Sequence, residues 1–250
     1  MSNRSCIAVL IVCLVGLSIL PVSLAQQAVE QSDPQAIVPD IESGDWTALF
    51  NGESLAGWVQ RNGTATYKVT EGVILGTTAI GSPNSFLCTD KDYSNFELTF
   101  EVKVDSRLNS GVQIRSTSKK DIASGRVRGP QIEIEASHEN SGTPCESGYI
   151  YSEGTGRGWI SQNRVASMAF VNDQWNRFVV RAVGPRVQTW INGHKVEDLY
   201  DDQSSQSGFI ALQVHSIPKE EGPYEVRWRD IRVRTLDESP VRTAESKPTE

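Results

Sequence analysis

The chain has few of the residues that build metal centres, redox sites and nucleic-acid interfaces. Its 250 residues include only four cysteines and three histidines, and no C-x-x-C pair occurs. This excludes the usual structural zinc and thioredoxin-like motifs. Acidic residues outnumber basic ones, 31 Asp and Glu against 24 Lys and Arg, for a net charge of -7. An acidic chain without a basic cluster argues against nucleic acid or an anionic membrane surface as a partner.

One long apolar run is present, and it lies at the start of the chain. Residues 6–20 are almost entirely apolar, and Pro21 ends the run. Ser23 and Ala25 supply the small residues that a signal peptidase recognises, so residues 1–25 are predicted to be a cleaved signal peptide. The run is short for a membrane span and no stop-transfer flank follows it. We therefore expect a periplasmic or secreted protein with no membrane span after cleavage.

Cleavage of the signal would leave two cysteines, Cys88 and Cys145. An even number of cysteines in an oxidising compartment is compatible with a disulfide between them. The alternative is two separate thiols, one of them buried as a small apolar side chain. Sequence leaves both open, because a disulfide needs Cα atoms within about 7 Å of each other.

Composition divides the rest of the chain into a linker at 26–44, one domain at 45–236 and a polar tail at 237–250. The linker is rich in Gln, Pro and Asp, and the tail contains two prolines. Between them hydrophobicity alternates with a period of two, as in residues 96–104, and no segment shows a helical stripe. This pattern predicts an all-β sandwich. Asn192-Gly193 predicts a type I′ hairpin turn, and a shift in the apolar phase predicts a β-bulge at Asp230.

Three predicted strands share one pattern, in which aliphatic residues alternate with amides and charged residues. Successive side chains of a strand point to opposite faces. One sheet face would therefore carry a row of polar groups, namely Gln113, Arg115, Gln131, Glu133, Glu135, Gln213 and His215. Amides and charged groups that donate and accept in pairs suit a hydroxyl-rich ligand. The alternative is an ordinary solvated face on an edge strand.

A Gly-rich segment at 148–159 could form a wall beside this face. Its aromatic residues Tyr149, Tyr151 and Trp159 are candidate platforms for sugar rings, and Arg157 is a candidate polar contact. The alternative is that a tyrosine fills the core and Trp159 covers an apolar patch.

Six segments resemble motifs of the 3-keto-disaccharide hydrolase domain family. They span most of the predicted domain in the expected order: 46–58, 109–115, 129–135, 190–193, 208–215 and 226–232. The resemblance implies a concanavalin A-like jelly-roll sandwich of two antiparallel sheets. It also implies hydrolysis of glycosides or disaccharides oxidised at C3, although a shared fold does not by itself fix a function.

The chemistry of a 3-keto-glycoside assigns roles to the polar row. The ketone acidifies the C2 proton, a base removes it, the enolate expels the C1 oxygen, and water then adds back. Glu133 or Glu135 is the candidate base, Arg115 the enolate stabiliser, and His215 the acid. If a divalent cation takes part, Glu133, Glu135 and His215 are its candidate ligands.

Two other functions remain open for the same residues. A non-catalytic carbohydrate-binding module would hold an oligosaccharide or glycoside on this face without turning it over. A conventional retaining β-glucanase is disfavoured, because Gln131 stands where such enzymes carry the nucleophilic carboxylate.

Overall fold

A computed structural model describes residues 38–118, 125–136, 145–164 and 169–236. The predicted signal peptide, most of the predicted linker and the predicted tail lie outside these residues. Within them, no helix is long and apolar enough to cross a membrane. The described part of the chain consists of strands joined by turns and loops.

Fifteen strands occur in the described residues. The first eight are β1 (Thr47–Ala48), β2 (Trp58–Arg61), β3 (Thr66–Thr70), β4 (Val73–Thr77), β5 (Ser85–Tyr93), β6 (Phe96–Val104), β7 (Ser110–Ser116) and β8 (Gly129–Ile134). The remaining seven are β9 (Ile150–Glu153), β10 (Gly158–Trp159), β11 (Asn176–Val183), β12 (Arg186–Ile191), β13 (His194–Tyr200), β14 (Gly208–Val214) and β15 (Glu225–Thr235).

The strands form two antiparallel sheets, as the alternating pattern predicted. Sheet A has the order β13-β12-β11-β6-β15-β4-β3, with β1 added beside β15. Sheet B has the order β10-β9-β8-β7-β14-β5-β2. Strands that are distant in sequence are neighbours in both sheets, so the polar segments of β7, β8 and β14 come together in the middle of sheet B.

The apolar side chains of both sheets pack into one core between them. Ile114, Ile132 and Leu212 of sheet B are fully buried there, together with Phe100 and Phe178 of sheet A. The rings of Phe100 and Phe178 stack with their centroids 5.1 Å apart. Burial of each such side chain contributes about 1.5–3 kcal/mol. Because this burial fixes which face of β7, β8 and β14 points inward, it also fixes which side chains point outward.

Turns and bulges set the register of the strands. Asn192 and Gly193 both have positive φ, 50° and 84°, as a type I′ turn requires. Asp230 has a φ of 48° and lies where the pairing of β15 with β6 shifts register. Both sequence predictions are confirmed. A further register shift, between Phe209 and Ala211 in the pairing of β14 with β7, was not predicted.

The possible disulfide is absent. Cys88 and Cys145 are both buried and free. Cys145 packs in the core between the sheets, whereas Cys88 belongs to a separate apolar cluster on the other side of sheet B, with Phe86 and Phe209. The sheet itself therefore separates the two thiols.

Candidate functional site

The outward-facing polar residues of sheet B are buried rather than solvated. Gln113 and Gln213 are 0% exposed, Gln131 is 2% exposed and Glu133 is 4% exposed. Amides and carboxylates are rarely buried this fully unless they are hydrogen-bonded. The solvated edge strand considered as an alternative is therefore wrong for this face.

Strand register places these side chains in two parallel rows. Glu133 pairs with Gly111, and Gly111 pairs with Gln213, so one row has a glycine at its centre. In the next row, Gln131 pairs with Gln113. Gly111 is required here because a Cβ atom at this position would lie 2.5 Å from Cδ of Gln131. The side chain of Gln131 therefore lies flat over the backbone of β7.

A directed chain of hydrogen bonds crosses this surface and ends on Glu133. The Ser116 hydroxyl donates to Oε1 of Gln113 at 2.7 Å, and Nε2 of Gln113 donates to Oε1 of Gln131 at 2.6 Å. Nε2 of Gln131 then donates to Oε2 of Glu133 at 3.0 Å. The side-chain amide of Asn109 donates to the other oxygen, Oε1. Both carboxyl oxygens are therefore held in fixed positions.

The environment of Glu133 shifts its acidity strongly. Burial raises the pKa of Glu133 to about 8, while hydrogen bonds from Gln131 and Asn109 oppose the increase. The nearby carboxylates Glu135 and Glu146 raise this pKa further by repulsion. A carboxyl group with such a pKa is mostly protonated at pH 7, and its ionised form is a stronger base than an ordinary carboxylate.

Glu135 lies near Glu133 but outside the strand, since β8 ends at Ile134. Its Oε1 accepts the backbone N–H of Glu146 at 3.0 Å. Glu146 in turn pairs with Arg164 at 2.9 Å. Sequence reasoning missed Asn109 as a partner of Glu133, and it missed Glu146 and Arg164 entirely. Asn109 was detectable because it directly precedes β7 in a polar segment, whereas no local pattern marks the other two.

Two of the predicted aromatic platforms form a pair at the edge of sheet B. Tyr151 and Trp159 are register partners, and their rings meet edge to face with centroids 5.3 Å apart. Both are half-buried, and the guanidinium of Arg164 lies 4.1 Å from the ring centroid of Trp159. Tyr149 is buried, and its carbonyl accepts the backbone N–H of Glu133.

Gln213 differs from the other amides of this face. Both Nε2 and Oε1 are buried without a hydrogen-bond partner. Leaving a buried amide unpaired costs about 1–3 kcal/mol. Gln213 lies on the row of Glu133, with only Gly111 between them, so its free donor and acceptor belong to the same surface as the carboxyl group.

His215 directly follows β14, two residues after Gln213, and it does not join Glu133 and Glu135. Its Nδ1 lies 2.7 Å from the carbonyl oxygen of Ser216, which can only accept, so Nδ1 carries a proton and Nε2 is the open nitrogen. Burial raises the pKa of Glu153, and the proximity of His215 opposes that increase. In the described part of the chain, no three His, Cys, Asp or Glu side chains are placed to hold a metal ion. The predicted metal-ligand trio is therefore not assembled.

Arg115 is also not on the polar face, contrary to the prediction from alternation. It has a φ of 45° at the unpredicted irregularity, so the strand phase changes and Ser116 faces Gln113 instead. The Arg115 side chain donates to the carbonyl oxygens of Ser94 at 2.7 Å and Gly184 at 2.6 Å. It ties together turns of the sandwich and does not accompany Glu133.

Arg157 is likewise engaged elsewhere. It pairs with the buried carboxylate of Asp201 at 2.9 Å and donates to the Ser204 hydroxyl at 2.9 Å. The prediction that it contacts substrate is therefore not supported by its position.

Comparison with known proteins gives one family match over most of the domain. A model of the 3-keto-alpha-glucoside-1,2-lyase-like domain matches residues 45–234. No curated protein matches the chain.

Several solved structures share the fold. A candidate glycosyl hydrolase from Parabacteroides distasonis has 19% identity and a TM-score of 0.53, over 77% of this chain and 94% of that one. A protein of unknown function with a galectin-like fold from Bacillus subtilis has 11% identity and a TM-score of 0.56, over 76% and 94%. The exoplasmic/lumenal domain of VIP36, bound to Ca2+ and Man3GlcNAc, has 9% identity and a TM-score of 0.51, over 79% and 93%. At these identities the likeness establishes the fold alone, and it confirms the predicted concanavalin A-like sandwich.

Proposed function

Because the chain belongs to the 3-keto-alpha-glucoside-1,2-lyase-like domain family, we propose that it is a carbohydrate-active enzyme that cleaves glycosides oxidised at C3. The observation that carries this proposal is the buried carboxyl group of Glu133, held at both oxygens and lying beside the unpartnered amide of Gln213. A purely structural face would have no reason to bury an amide with both polar atoms unpaired.

The reaction has two stages, elimination and hydration. A base removes the proton from C2 of the 3-keto sugar, and the electron pair of that C–H bond forms the enolate. The enolate then breaks the bond between C1 and the glycosidic oxygen, which leaves with a proton as an alcohol. Water adds across the C1–C2 double bond and gives the free 3-keto sugar. The protein must supply a base, a donor to the C3 oxygen and a proton for the leaving oxygen.

Glu133 is the proposed base. Its raised pKa makes its ionised form better matched to a carbon acid than an exposed carboxylate would be. Hydrogen bonds from Gln131 and Asn109 favour ionisation and hold the carboxylate in one orientation. The same two hydrogen bonds keep the Glu133 carboxylate from rotating as it accepts the proton from C2 of the sugar.

The other two roles are assigned to Gln213, which pairs with Gly111, and to His215, which directly follows β14. Nε2 of Gln213 is the proposed donor to the C3 oxygen, because it has no partner within the protein. His215 is the proposed proton donor to the leaving oxygen: its Nδ1–H donates to the Ser216 carbonyl, and in the imidazolium form Nε2 carries the second proton, which passes to the leaving oxygen as the C1–O bond breaks and leaves the neutral ring. The edge-to-face pair of Tyr151 and Trp159 is the proposed wall for a sugar ring. We also propose export to the periplasm or the medium, in line with the apolar run at residues 6–20.

The test compares a 3-keto-disaccharide with its unoxidised parent, each incubated with the purified full chain, with and without a chelator. We expect release of a 3-keto sugar from the oxidised substrate only. Glu133→Gln should abolish this release, whereas Glu53→Gln, an exposed carboxylate in a turn far along the chain, should leave it unchanged. Loss of release with chelator would show that a metal ion takes part.

The competing function is a non-catalytic sugar-binding module, and the half-buried Tyr151–Trp159 pair is the feature that favours it. Binding of both disaccharides without turnover of either would establish that function in place of the enzyme. Equal turnover by Glu133→Gln and the unmodified protein would remove Glu133 from the mechanism.

A further inference from the structure

A polar cavity opens on sheet B, on the side of β5 and β2. Its volume is about 310 Å³, and Arg61, Asp90, Asp92 and Phe209 are among the residues that line it. None of these was singled out as a sugar contact by the sequence pattern. The volume lies at the lower end of the roughly 300–1,000 Å³ range of small-molecule sites. The Arg61 cavity, as we call it, therefore has room for a small ligand unit.

The guanidinium of Arg61 lowers the pKa of the neighbouring Cys88 thiol, against the larger effect of burial, but two donor atoms of the lining residues have no hydrogen-bond partner. Nε of Arg61 is buried without a hydrogen-bond partner, and so is the hydroxyl oxygen of Ser118, another lining residue. Both atoms bear a donor hydrogen, and burying such a group unpaired is costly. Two unpaired donors in one cavity indicate an acceptor that the protein does not itself provide.

The charges around the cavity are held apart. Asp90 and Asp92 both line it, yet neither forms an ion pair with Arg61 in the described part of the chain. The guanidinium lies 5.8 Å from the ring centroid of Phe209 instead. A cation, two carboxylates and an aromatic ring thus surround one space without neutralising each other by contact.

This combination selects a neutral hydroxyl-bearing ligand. Two carboxylates beside one guanidinium disfavour an anion such as phosphate. A hydroxyl group can accept a hydrogen bond from Arg61 or Ser118. It can also donate one to Asp90 or Asp92, so a pair of adjacent hydroxyls would match both the donors and the acceptors that line the cavity. The ring of Phe209 offers an apolar surface to the C–H face of a sugar.

We propose that the Arg61 cavity is a subsite for one neutral sugar ring. Ser116, which also lines the cavity, begins the hydrogen-bond chain that ends on Glu133, so both sites lie on the same face of sheet B. Three hydrogen bonds and two amide groups separate them. This inference rests on the proposed function, since it assumes that Glu133 acts on a sugar. The natural ligand is then an oligosaccharide or a long glycoside, with one unit in the cavity and another at Glu133.

The test measures binding, which does not require turnover. Isothermal titration with the neutral trisaccharides maltotriose, cellotriose and mannotriose, and with inorganic phosphate, is carried out on the full chain. Arg61→Met keeps the apolar stem and removes the donors, and Asp92→Asn changes an exposed carboxylate with little risk to folding. Arg227→Met is the matched control, since Arg227 lies on sheet A and pairs with Glu225.

We expect at least one trisaccharide to bind, and Arg61→Met and Asp92→Asn each to weaken that binding about tenfold or more, as loss of a charged hydrogen bond implies. Arg227→Met should bind as the unmodified protein does. Unchanged affinity in both cavity variants, no trisaccharide binding, or Arg61-dependent binding of phosphate in its place would overturn the proposal. If the 3-keto-disaccharide is not turned over but trisaccharide binding depends on Arg61, the enzyme assignment fails and the subsite stands.

Discussion

Replacing Glu133 with Gln is expected to change how the stability of the protein depends on pH. In the folded protein, burial raises the pKa of Glu133 to about 8, against an ordinary value of 4.5. Below pH 4.5 the carboxyl is protonated in both the folded and unfolded chain, so it causes no pH dependence. Between pH 4.5 and 8 the unfolded chain releases the proton and the folded chain retains it. Stability therefore falls as pH rises through this interval.

The size of this loss follows from the two values. At about 1.4 kcal/mol per pH unit, the loss reaches roughly 3 kcal/mol at pH 7 and roughly 5 kcal/mol above pH 8. Gln cannot ionise, so Glu133→Gln should lack this loss. The variant should gain stability relative to the unmodified protein by that amount as pH rises from 4.5 to 9. A constant offset of about 1–3 kcal/mol is expected from the altered hydrogen bonds to Gln131 and Asn109.

Denaturant unfolding followed by tryptophan fluorescence, at intervals from pH 4.5 to 9, measures this difference. Glu53→Gln serves as the control and should track the unmodified protein throughout, because its side chain is exposed. Parallel stability profiles for Glu133→Gln and the unmodified protein, within about 1 kcal/mol, would refute the reasoning. They would mean that Glu133 ionises in the folded state as easily as in water.

Three further outcomes are expected. Gly111→Ala should displace the Gln131 amide, because the added Cβ would lie too close to it. We expect lower turnover of the 3-keto-disaccharide and a free energy of unfolding reduced by about 1–3 kcal/mol in denaturant. Full turnover would contradict the tight packing of Gln131 over Gly111. Arg115→Met should cost about 2–6 kcal/mol by leaving two carbonyl groups unpaired, at about 1–3 kcal/mol each, yet leave the sugar affinity of the folded protein unchanged in titration. A selective loss of affinity would return Arg115 to the site. Thiol reagents should label Cys88 and Cys145 only after unfolding, since burial raises the pKa of both thiols, and reductant should leave the melting temperature unchanged. A fall in that temperature would indicate a disulfide, which typically contributes about 2–4 kcal/mol.

The sequence pattern predicts the bulge at Asp230 but not the one at Arg115, and the reason is physical. At Asp230 the apolar phase changes along β15, from Val226 and Trp228 to Ile231 and Val233, so the extra residue is visible in the sequence. At Arg115 the phase is regular up to Ile114, after which β7 has no further apolar residue to reveal a change. A bulge is detectable from sequence only when core residues lie on both sides of it.

The metal and disulfide hypotheses failed for a related reason. Each depended on the distance between residues on different strands, and spacing along the chain contains no information about that distance. Cys88 lies on one side of sheet B and Cys145 on the other. His215 is close enough to Glu153 to lower the pKa of that carboxyl, and the sequence pattern does not connect these two residues.

By itself the sequence determined the all-β class, the hairpins and the outward position of Gln113, Gln131, Glu133 and Gln213, because strand alternation and core burial are local consequences of residue type. Only the tertiary structure decided that this face is buried, that its amides form one chain ending on Glu133, and that Gln213 and Arg61 keep donors unused. These properties depend on which strands become neighbours and in what register. They therefore arise only when residues far apart in the chain pack against one another.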